Sequence, residues 1–141
     1  MKLTKEQAIE EHRKKWNWIA DQYKNGSEEI VEVLETEYFK RRNIKLEADS
    51  PCCDYAFRKL KELVGDDFVY LDLYGCDYCP VDFGDETCTC DISPYSKMFD
   101  HEMEKLQLGQ VIDSRYMEEL ARQIANLPER EKNESNKRRR Q

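Results

Sequence analysis

Six cysteines fall within the 39 residues from Cys52 to Cys90, and two of them stand in Gly75-Cys76-Asp77-Tyr78-Cys79-Pro80. A Cys-x-x-Cys turn lets two thiolates face one ion while the turn amides donate hydrogen bonds to sulfur. Four such ligands close a tetrahedron around zinc with no position left for water. Such a site ties separate segments to one point, so it constrains the fold more than any single apolar stripe. Cys52 and Cys53 open a helix, where unpaired amides and the dipole stabilise a thiolate, but adjacent cysteines rarely both reach one small ion. Cys88 and Cys90 share a side if extended, and a one-ion site needs only one of them. The expected set is therefore Cys53, Cys76, Cys79 and Cys90 around one structural zinc. The alternatives are buried free thiols, or three disulfides in an exported chain. The N-terminus turns charged at Lys5-Glu6 where a secretory segment would be apolar, which points to the cell interior, where clustered thiols hold metal.

The 141 residues have room for one domain, 1–128, and the high charge with few Gly and Pro favours helices. No apolar run approaches the ~20 residues of a membrane span. Thr4 with Gln7 forms a capping box for a helix from about Lys5 to Lys24, with Ile9, His12, Trp16, Ile19, Ala20 and Tyr23 on one face. Asn25-Gly26 stops it. Ser27 is expected to cap a second helix with Glu28 and Glu29 in its first turn and Ile30, Val31, Val33, Leu34, Tyr38 and Phe39 as its stripe. A third helix is expected from about Cys53 to Val64, and a strand from Phe68 to Tyr74 that leads into the Cys76/Cys79 knuckle and a short return to Cys90. Ser93-Pro94 opens a weakly patterned helical segment to about Leu108. Asp113 or Ser114 caps a last helix with Tyr116, Met117, Leu120, Ile124 and Leu127 on one side, ended by Pro128. Residues 129–141 carry no apolar side chain and are expected to be a charged, disordered tail. The expected class is α+β, mainly α: amphipathic helices around a small zinc-stapled β-ribbon.

Eight acidic side chains and no lysine or arginine lie between Asp66 and Asp91, and a zinc held by four thiolates adds about two more negative charges. Such a ribbon opposes phosphate, so the knuckle does not imply DNA binding. Basic residues gather in Arg13-Lys14-Lys15, Lys40-Arg41-Arg42, Arg58-Lys59 with Lys61, and the tail. The internal runs read as solvated helix faces. No catalytic signature is present. The only two histidines, His12 and His101, are far apart, His101-Glu102 follows the Cys-x-x-Cys instead of preceding it, and no glycine-rich phosphate loop exists. His12 reads as a core or boundary residue and His101 as exposed.

Trp16 and Trp18 diverge by about 160° on a helix, so with Trp16 in the core, Trp18 meets a second internal layer or a partner. The partner surface expected from sequence combines Trp18 with the acidic ribbon residues Asp82 and Asp85.

The segments Glu11-His12-Arg13-Lys14-Lys15-Trp16-Asn17-Trp18-Ile19-Ala20, Cys52-Cys53-Asp54-Tyr55-Ala56, Cys76-Asp77-Tyr78-Cys79-Pro80, Cys90-Asp91-Ile92-Ser93-Pro94-Tyr95 and Leu120-Ala121-Arg122-Gln123-Ile124-Ala125-Asn126-Leu127-Pro128 together carry a resemblance. In that order, over nearly the whole chain, they resemble small cysteine-rich proteins of bacteriophages and prophages in Firmicutes. The resemblance implies a metal site, with the cysteines of that pattern falling on Cys53, Cys76, Cys79 and Cys90, and a setting in the cytoplasm of a bacterial host. It departs at Ser50, where those proteins often have another cysteine, and at Phe83, where they often have tryptophan. The expected function is that of a nonenzymatic, zinc-binding phage or prophage accessory protein. It would act on a host or phage protein, as a host-modulating or anti-defence factor. The alternative is a nucleic-acid-associated regulator that uses the basic helix faces and tail.

Overall fold

The reciprocal bonds of a capping box start the first helix: Gln7 N–H donates to Thr4 Oγ1 at 3.1 Å, and Thr4 N–H donates to Gln7 Oε1 at 2.9 Å. Helix α1 then spans Lys5–Lys24. It ends in a Schellman turn, with Ser27 N–H on the Gln22 carbonyl, Gly26 N–H on that of Tyr23, and Gly26 at φ +91, a conformation an L side chain resists. The computed structural model describes residues 3–43, 51–64, 80–81 and 93–129. Among these the chain is mainly helical: α1, α2 (Val31–Arg42), α3 (Pro51–Val64), α4 (Pro94–Leu108) and α5 (Ser114–Ala125). The expected strand at Phe68–Tyr74 and the ribbon return lie outside the described residues.

The chain divides into two compact units, residues 1–12, 45–85 and 127–141, and residues 13–44 and 86–126. In the first, Ile9 of α1, Cys52 of α3 and Val81 form a buried cluster with Leu127 packed on it. Val81 pairs with Glu129 in an isolated antiparallel bridge, and Lys5 Nζ lies 3.1 Å from the Glu129 carboxylate. Glu129, counted with the tail in the sequence reading, is thus tied to this unit. Helix α3 starts two residues earlier than expected because Pro51 occupies its first position, where no amide proton is needed. Arg58 donates to the Leu3 carbonyl.

In the second unit the core comes from Trp16, Ile19, Ala20 and Tyr23 of α1, Val31, Leu34 and Tyr38 of α2, Met98 of α4, and Met117, Leu120, Ala121, Ile124 and Ala125 of α5. The α5 positions recur at the spacing of one helical face, and α4 packs against α5. The Trp16 and Tyr95 rings meet edge to face at 6.0 Å. Arg122 of α5 reaches across to α1, with 2.6 Å to Asp21 Oδ1 and 3.1 Å to Asn17 Oδ1.

Helix α2 corrects the sequence reading. It begins at Val31, later than expected, and Ile30 at its N-cap offers no side-chain acceptor. Ser27 instead folds a local turn, its Oγ accepting from Glu29 N–H at 3.2 Å. The acceptor for the first turn comes from α4, where Glu102 Oε2 takes the Val31 N–H at 2.7 Å. A carboxylate 71 residues away thus does the work of a local cap. Burial, foremost, together with the nearby Glu35 and Glu32, raises the Glu102 pKa above its ordinary value, while the Val31 bond pulls it down.

Lys15, read from sequence as part of a solvated basic face, is also corrected: it is fully buried. Its ammonium lies 2.6 Å from Glu35 Oε2 and over the rings of Trp16 and Phe39, at 4.8 and 5.5 Å.

Candidate functional site

Helix α4 starts cleanly, with Ser93 Oγ accepting from Ser96 N–H at 3.2 Å and Pro94 in the first turn, and it ends at Gly109 in a left-handed turn. Its buried side carries Met98 and Glu102. A second apolar stripe, Phe99, Met103 and Leu106, follows at i, i+4 and i+7, about 80° around the helix from the first. These three are 57, 41 and 64% exposed. A surface helix needs one apolar stripe, ~100° wide, to bury. Helix α4 therefore carries more apolar surface than its own unit covers. Leu108 and Val111 extend that exposure into the turn toward α5.

Charge is distributed unevenly around the stripe. Asp100 borders it on one side. On the other edge sits Glu102, three residues after Phe99 and four before Leu106, holding the first turn of α2 with its exposed Glu32 and Val33. Lys97 and Lys105 project about 100° or more away from the nearest stripe residue. Neither Asp100 nor Glu32 enters an ion pair among the described residues.

Trp18, expected as a partner anchor, is half-buried on α2: its ring lies 5.7 Å from that of Tyr38, with the Arg41 guanidinium 5.7 Å above it. Arg41 is also held by Glu37 at 2.6 Å. The other members of the expected partner surface, Asp82 and Asp85, lie outside the described residues, as do Cys76, Cys79, Cys88 and Cys90. Cys53 sits in the first turn of α3, its side chain not among those described. Cys52 is buried, its Sγ 3.8 Å from the Ala8 carbonyl. Among the described residues no group of three or more His, Cys, Asp or Glu side chains could hold a metal. No described helix is long and apolar enough to cross a membrane. Among the basic runs, Lys15 is enclosed by the core and cannot reach a phosphate.

His12 is buried. His101, expected to be exposed, is half-buried and structural. Its Nε2 accepts the N–H of Asp113 at 3.0 Å, and its ring meets Tyr116 at 5.0 Å. Tyr116, expected in the core, accordingly stays partly exposed, while Asp113 caps α5 through Tyr116 N–H at 3.2 Å. An accepting nitrogen must be unprotonated, and burial, then Lys105, holds the His101 pKa below its ordinary 6.5. Between that lowered value and 6.5 the folded chain binds fewer protons than the unfolded one. The contribution is therefore complete above 6.5 and is lost as pH falls through the window toward the folded pKa. Urea titrations over this range should show His101→Asn removing part of the acid-side loss of stability. Identical pH slopes in both proteins would contradict the assignment. Glu102, with a raised pKa, acts in the opposite sense but is common to both proteins and cancels from the difference.

Nothing among protein-family models, curated proteins or solved structures matches this chain.

Proposed function

We propose that the chain is a nonenzymatic binding protein that engages another protein through the exposed apolar face of α4, with its cysteine segment stapled by a structural zinc. The observation that carries the binding reading is the second stripe, Phe99, Met103 and Leu106, on a helix whose other face is already buried. Apolar patches of this kind on a folded domain mark interaction sites. The zinc, held by Cys53, Cys76, Cys79 and Cys90 in a small ribbon, rests on the Cys-x-x-Cys spacing and on the cysteines that flank it within the 39 residues from Cys52 to Cys90. The setting in a phage-infected bacterial cytoplasm, with a host or phage protein as partner, rests on the resemblance alone.

Tagged wild type and Phe99→Asp/Leu106→Asp, expressed in the host and captured with associated proteins, distinguish the outcomes. The reading predicts a stoichiometric partner lost from the variant while far-UV circular dichroism stays unchanged. A partner retained by the variant, or lost instead from Trp18→Ala with its fold intact, would move the interface away from α4.

A further inference from the structure

Resting on that reading, we infer that the α4 face receives a short amphipathic helix with basic residues on both flanks of its apolar stripe. The stripe from Phe99 to Leu106 is two turns long, about 10 Å along the axis, and matches i, i+3/i+4, i+7 anchors on a partner helix. Its three side chains expose on the order of 300 Å² of apolar surface. That is the size of a functional patch on a monomer, and a second copy of this chain docked on it face to face would set the acidic flanks of the stripe against the same carboxylates.

Charge selects the flanks. Asp100 lies about 60° from Met103 on one side of the stripe. On the other, the Glu102 bond to Val31 holds Glu32 close enough to raise the Glu102 pKa. Both flanking carboxylates, Asp100 and Glu32, are exposed and outside any ion pair among the described residues, while the lysines of α4 project elsewhere. A docked helix carrying Lys or Arg on either side of its leucines satisfies both edges; one carrying carboxylates meets like charge at both.

Two synthetic helical peptides with the same leucine face, one flanked by lysines and one by glutamates, test this by fluorescence anisotropy with the full chain. The lysine peptide should bind roughly tenfold or more tightly at low ionic strength, with the gap narrowing as salt shortens the Debye length. Glu32→Lys/Asp100→Lys, which alters only exposed positions, should reverse the preference, and Phe99→Asp/Leu106→Asp should lose both peptides. If the glutamate peptide binds as well or better, the basic partner is overturned while the α4 face stands. If wild type binds neither, or Phe99→Asp/Leu106→Asp binds both unchanged, the face falls with it. A dimer in light scattering that Phe99→Asp abolishes would assign the face to a second copy and overturn the inference.

Discussion

Glu35→Ala should destabilise the protein by about 3–5 kcal/mol, the range for removing one partner of a buried ion pair. Lys15 is 1% exposed at its side chain and Glu35 16%, so deleting the carboxylate leaves an ammonium enclosed by Trp16 and Phe39. The aromatic faces offset part of that charge but accept no strong hydrogen bond. Lys15→Met combined with Glu35→Leu should be close to neutral, because the pair's desolvation penalty disappears with its attraction. Urea denaturation of both variants checks this. A loss under about 1 kcal/mol for Glu35→Ala would mean that the long lysine stem swings its charge to water, and that the pair is a surface one in energetic terms.

The second large effect is that of metal. Structural zinc contributes on the order of 10 kcal/mol to folding in small zinc domains, and less where a helical core stands by itself. Here the core of residues 13–44 and 86–126 is built from α1, α2, α4 and α5, so chelation should unravel the cysteine segment while much of the helical signal survives. Elemental analysis should find one zinc per chain. Native thiol titration should then reach Cys88 readily and Cys52 slowly, since Cys52 is buried against Ala8. No metal, with thiol reactivity indifferent to chelator, would remove the staple from the account.

What the sequence made legible was local. Thr4 and Gln7 cap α1 within one turn, Asn25-Gly26 stops it, and Met117, Leu120 and Ile124 of the buried α5 face follow from spacing, whereas Tyr116 stays exposed and Leu127 lies past the helix end. What it hid depends on distant partners. Ser27-Glu28-Glu29 has every mark of a helix start, yet the acceptor that fixes Val31 is Glu102 on α4. Lys15 occupies a core position beside Trp16, and Glu35, twenty residues on, supplies the carboxylate that makes that tolerable. His101 sits among charges in sequence but finds the Asp113 amide across the turn between α4 and α5. The α4 surface was missed for a different reason. Met98 with Glu102 and Phe99 with Met103 and Leu106 form two stripes, and the overlap blurs the single period that marks an amphipathic helix. The excess of apolar positions around one helix was the available signal. Of the proposed zinc ligands, Cys76 and Cys79 rest on their spacing and the resemblance, and Cys90 on the resemblance; all three lie outside the described residues.

The four methionines give the binding claim its most direct test, because Met98 and Met117 are buried in the core and Met103 is 41% exposed on the stripe. In ¹³C-methyl methionine NMR of the chain titrated with its captured partner, the account predicts that the Met103 signal shifts or broadens in proportion to complex formed while Met98 and Met117 hold their positions. A complex that forms with the Met103 signal unmoved would contradict it.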